Sequence, residues 1–82
     1  MQPTKKEAAI ELIDFADKLD DKEKDELKNS IDDLIKETPK TAIAELKFKK
    51  YVLKAGTEIG KGLKDILIDL VSETVKKSIW GA

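Results

Sequence analysis

Apolar residues along this chain recur at three- and four-residue steps, the spacing that gathers them on one side of a helix. Ala8, Leu12, Phe15, Ala16 and Leu19 form the first such row, with Glu7, Glu11, Asp14 and Lys18 on the opposite side. Thr4 followed by Glu7 has the spacing of a capping box, so a first helix is expected over 4–19. Asp20 and Asp21 can accept from the free amides that open a second helix, expected over 21–37. Its apolar stripe is narrow, Leu27, Ile31, Leu34 and Ile35, and its first turn has little to bury.

Thr38-Pro39 ends the second helix, because proline disfavours helical geometry in the residue before it, and Pro39 suits the start of a third helix over 39–54. Here the apolar residues fall on two sides. Ala42, Leu46 and Leu53 share one, Ala44, Phe48, Tyr51 and Ala55 the other, and Lys47, Lys50 and Lys54 line the strip between them. Gly56 offers a left-handed stop, after which Thr57 can cap a fourth and longest helix over 57–79. Gly60 and Gly62 weaken its opening by about 1 kcal/mol each relative to alanine, so residues 55–62 read either as a loop or as a place of close helix contact.

From Leu63 onward the apolar pattern broadens. Leu63, Ile66, Leu67, Ile68, Leu70, Val71, Val75 and Ile79 sweep an arc of roughly 200°, about twice an ordinary core-facing stripe. Such a helix needs cover on two sides, and large uncovered apolar patches are uncommon on soluble monomers. The expected fold is therefore all-α: a single domain over 1–82, a small three- or four-helix bundle whose long C-terminal helix packs centrally. Residual apolar surface on that helix is expected to meet a protein partner or a second copy of the chain, through Leu63, Leu67, Val71, Val75 and Trp80.

Composition narrows the chemistry. Cysteine and histidine are both absent, so no disulfide, zinc site or histidine base is available. Missing cysteine and any long apolar leader point to the cytoplasm. The longest apolar runs are three residues, such as Ile66-Leu67-Ile68, against the roughly 20 that a spanning helix needs. Charged residues make up 40 % of the chain, yet they sum to −1, and every one of the 16 cations is lysine. Arginine supplies the forked contacts to phosphate and guanine, so this balance argues against nucleic acid as the partner.

The charge is unevenly placed. Residues 1–40 carry 8 Lys against 12 acids, and residues 41–82 carry 8 Lys against 5. Attraction between the two halves on folding is the simpler reading; steering of a charged partner is the other. On the second reading Asp25, Glu26, Asp32 and Asp33 form an acidic face that occupies a basic groove of a bacterial target, as an inhibitor or anti-defence protein would.

No motif supplies catalysis. Gly56-Thr57-Glu58-Ile59-Gly60-Lys61-Gly62 is one residue short of a phosphate-binding loop, and ends in glycine where Ser or Thr would hold magnesium. The aspartates at 14, 17, 20 and 21 lack the spacing of a calcium loop. Every carboxylate fits an exposed face or a helix start, so none is poised by burial for acid–base work, and a non-enzyme without cofactor or metal is expected. Lys47, Lys49, Lys50, Lys54, Lys61 and Lys64 make one basic region with Phe48 and Tyr51 interleaved, but those aromatics point largely away from the lysines and into the core. Lys76, Lys77 and Trp80 would suit a membrane surface, which Asp65, Asp69 and Glu73 on the same helix disfavour.

Thr38-Pro39-Lys40, Lys47-Phe48-Lys49-Lys50 and Ser72-Glu73 followed by Lys76-Lys77 resemble the C-terminal part of short uncharacterised proteins of bacteria and their phages, some linked to phage–host conflict. The resemblance spans the second half of the chain and carries no active residue across. It implies a bacterial or phage origin.

Overall fold

A computed structural model describes residues 4–81, all of whose regular elements are helices: α1 (Lys5–Asp14), α2 (Asp21–Lys36), α3 (Thr41–Ala55), α4 (Thr57–Leu67) and α5 (Glu73–Trp80). Local chemistry explains most of their ends. Thr4 caps α1 by accepting from the Glu7 amide at 3.1 Å. Asp20 and Glu23 close a full capping box at the start of α2, each side chain accepting from the other's amide. Glu37 then ends α2 in the left-handed region at φ 51°, a position that glycine fills more cheaply. Thr38 and Thr41 turn the chain into α3: the Thr38 hydroxyl donates to Asp33, and the Thr41 hydroxyl to the Asp33 carbonyl at 2.9 Å.

The first helix is shorter than its pattern predicts. After Asp14 the amides of Phe15 and Ala16 bond to carbonyls three residues back, tightening the winding. Ala16 and Leu19 stay buried through this turn, whereas Phe15 is thrown outward and is 74 % exposed. The buried side of α1 is also one residue along from the expected row, with Ala9 and Ile13 in the core rather than Ala8 and Leu12. Both rows are apolar, so spacing alone does not choose between them.

Gly56, at φ 107° and ψ 167°, joins α3 to α4 in a conformation open only to glycine, and it caps α4 in place of Thr57. Residues 57–67 are helix throughout, with Gly60 and Gly62 placed where neighbours press closest. A Cβ on Gly62 would stand 2.6 Å from Leu12 Cδ2 of α1, and one on Gly60 3.0 Å from Val52 Cγ1 of α3. These glycines mark close helix contact rather than a loop.

The continuous C-terminal helix expected over 57–79 is two helices. Ile68 to Ser72 form a turn in which the Leu70 and Val71 amides both reach the Leu67 carbonyl, at 2.8 and 3.1 Å. Ser72 then takes extended geometry and its hydroxyl accepts from the Val75 amide at 3.3 Å, with Glu73 in the new first turn. Serine competes with the helical backbone in this way, and Ser72-Glu73 is the local signal for the break. Splitting the rod allows its broad apolar arc to meet different neighbours.

The helix with most neighbours is α3, which packs against α2, α4 and α5, while α1 lies on α4 and α2. The central place expected for the C-terminal helix thus belongs to α3. Phe48, Ile13, Leu27, Ile31, Leu34, Leu63, Leu67 and Val75 are the large fully buried side chains. Ser30, the buried polar residue among them, donates its hydroxyl to the Leu27 carbonyl at 2.7 Å.

Candidate functional site

Of the five residues expected to meet a partner, four lie in the interior. Leu63, Leu67 and Val75 are fully buried, and Val71 nearly so, because α1 and α3 close over α4, and α3 also packs on α5. A partner docking on the folded chain cannot reach them. Trp80 is half-buried; its ring meets Phe48 edge-on, centroids 6.1 Å apart and planes at 89°.

Three of the four residues of the acidic face make internal ties. Glu26 accepts from the Tyr51 hydroxyl across the α2–α3 contact, Asp32 pairs with Lys6 of α1, and Asp33 holds Thr38. Asp25 alone of the four is exposed and makes no such bond among the described residues. The Glu26 carboxylate stabilises the protonated phenol, with burial adding to the effect, so the Tyr51 pKa is pushed up to about 12. Nearby, the Lys54 ammonium lies 2.6 Å from Glu23 and, with the Asp20 amide, holds that carboxyl below the ordinary range. Asp69 is lowered in the same way by Lys5, 2.7 Å away.

Uncovered apolar surface concentrates instead on the outer side of α3. Ile43 is 59 % exposed, Leu46 69 % and Leu53 84 %. At about 100° per residue they share with Lys50 an arc of roughly 80°, opposite the buried Ala44, Phe48, Tyr51 and Ala55. The intervals 43–46–50–53 are three, four and three, the spacing of a seam between two packed helices. Lys47 and Lys49 flank this stripe, one on each side; with Lys50 they are exposed and make no ion pair among the described residues. Lys50 lies 5.4 Å from the Tyr51 ring centroid, where the π-face attracts its charge.

Leu53 connects the stripe to a groove between α3 and α5. The groove holds about 280 Å³ and is lined by Phe48, Lys49, Val52, Leu53, Ile79 and Trp80, apolar except for the lysine head. A second depression of about 320 Å³, between α2 and α3, is lined by Glu26, Asn29, Asp33, Lys40 and Lys47 beside Ile43 and Ala44. The stripe and the α3–α5 groove make one apolar surface with Lys47 and Lys49 beside it. Among the described residues no three carboxylates come together as metal ligands, and no helix is long and apolar enough to cross a membrane.

Sequence spacing placed Leu46 and Leu53 on a separate side of the third helix. Ile43 joins them in the structure, and the intervals of three and four across 43–53 are the local signal for it. No curated protein and no solved structure matches the chain. One family profile does, over residues 2–79, which is nearly the whole length; the chain belongs to the family described as "uncharacterized protein conserved in bacteria (DUF2321)".

Proposed function

We propose that this bacterial protein is a non-enzymatic protein-interaction module of the cytoplasm whose docking surface is the outer side of α3 with the adjoining α3–α5 groove. The observation that carries this reading is the exposure of Ile43, Leu46 and Leu53 on one stripe of a helix whose other side is fully packed. Leaving three large aliphatic side chains in water on one face serves no folding purpose, and contiguous patches of this kind mark interaction sites. The absence of cysteine fits a reducing compartment.

The expected self-association through the C-terminal helix is replaced by this reading, since Leu63, Leu67, Val71 and Val75 are consumed by the core. Paired affinity captures from bacterial lysate, with wild type and a Leu46→Glu/Leu53→Glu variant as baits, test it. Both exposed positions tolerate the change, so thermal melts should coincide. Bound proteins should be retained by wild type and lost from the variant; identical captures from the two baits would refute the reading.

A further inference from the structure

The chemistry of the α3 face narrows the partner, given that the face is a docking surface at all. We infer that it receives an acidic amphipathic helix, laid along α3 with its apolar seam on Ile43, Leu46 and Leu53 and its flanking carboxylates on Lys47 and Lys49, on either side of the Lys50 that interrupts the seam. Three independent features converge on this occupant. The seam spacing of 43, 46, 50 and 53 matches the repeat by which one helix packs on another, and Lys50 takes a position where one cation sets register. Lysines stand on both flanks of the stripe with no ion-pair partner among the described residues, so the complementary surface carries acids on both flanks. The α3–α5 groove opens beside Leu53 and offers an apolar recess floored by Phe48 and walled by Trp80, suited to one large anchoring side chain.

Two other occupants fit less well. A second copy presenting its own α3 would set Lys47, Lys49 and Lys50 against the same lysines, and like charges across a seam oppose association. An anionic membrane would have to accept Lys50 in the middle of the inserted stripe.

The probe is a synthetic acidic helix of about three heptads, Leu at the seam positions and Glu on both flanks, with no Trp. Trp80 is the sole tryptophan of the chain, so its emission reports binding at the groove without labelling. Titration should give a saturable shift, weakened by added salt. A Lys47→Glu/Lys50→Glu variant should bind the acidic helix at least about tenfold more weakly and gain affinity for the matching helix with Lys flanks. Vesicles rich in anionic lipid should leave Trp80 unchanged, and sedimentation should show a monomer.

No response to the acidic helix, equal response to the Lys-flanked one, an equal shift with vesicles, or a dimer broken by Leu53→Glu would each overturn the inference. Failure here together with differential lysate capture by the Leu46→Glu/Leu53→Glu pair would remove the acidic helix and leave the docking face. Failure of both would remove the face itself.

Discussion

Two stretches of this chain carry more apolar surface than one side of a helix can bury, and the fold treats them in opposite ways. From Leu63 to Ile79 the excess is absorbed: the chain turns at 68–72, α4 lies against α1 and α3, and α5 folds back on α3. Along α3 the excess remains, because α2, α4 and α5 all approach from the side of Phe48 and Tyr51. The surface that looks greasiest along the chain is therefore structural, and the docking candidate sits on a helix with a more modest pattern. Apolar content alone does not identify an interaction site; the order in which neighbours claim faces does.

That contrast can be broken most forcefully at its two extremes. Leu67→Ala should cost about 2–5 kcal/mol in urea denaturation, because the buried site cannot fully collapse, whereas Leu53→Ala should fall within about 0.5 kcal/mol of wild type. Equal costs would mean that the α3 stripe is covered in solution. Gly62→Ala probes the lid that α1 places on α4. Only the terminal Cδ2 of the half-buried Leu12 stands in the way, 2.6 Å from the new Cβ, and that methyl can turn aside, so the variant should keep part of the roughly 1 kcal/mol of helix propensity gained. A variant destabilised by more than about 1 kcal/mol would show that α1 holds Leu12 rigidly against α4.

Ser72→Ala removes the cap that starts α5 and should cost about 1 kcal/mol, read as a lowered urea midpoint. Its Trp80 emission should shift with the fold still intact if α5 depends on that cap for its place against α3. The gentlest test concerns the packed side of α3. Because the folded-state pKa of Tyr51 lies above the ordinary value of 10.0, its bond to Glu26 supports the fold fully below pH 10, and that support is lost as pH rises through about 12. Tyr51 is the sole tyrosine, so tyrosinate absorbance should titrate near pH 12 in the folded protein, and Tyr51→Phe should lose less stability than wild type across that window. Titration at the ordinary value would mean that the bond does not hold.

Legibility from the sequence varied along the chain for identifiable reasons. The α2 stripe of Leu27, Ile31 and Leu34 was clear because charged residues surround it, leaving one choice of buried side. In α1 adjacent apolar pairs, Ala8 with Ala9 and Leu12 with Ile13, satisfy the same period one residue apart. Phe15 followed the helical row in sequence and left it in space, since the tightened turn after Asp14 depends on where Ala16 and Leu19 must go. The break at Ser72 had a local signal that the strong apolar periodicity on either side concealed. For the exposed side of α3, spacing separates the two sides of the third helix but does not say which is covered.

By itself the chain determines helices, their caps at Thr4 and Asp20, and the glycine joint at Gly56, because backbone hydrogen bonding and steric limits act over a few residues. Which of two apolar sides turns inward was decided only by the assembled structure. Burial has no direction of its own and is satisfied by whatever arrives, so α3 gave Phe48 and Tyr51 to its neighbours and left Leu46 and Leu53 exposed.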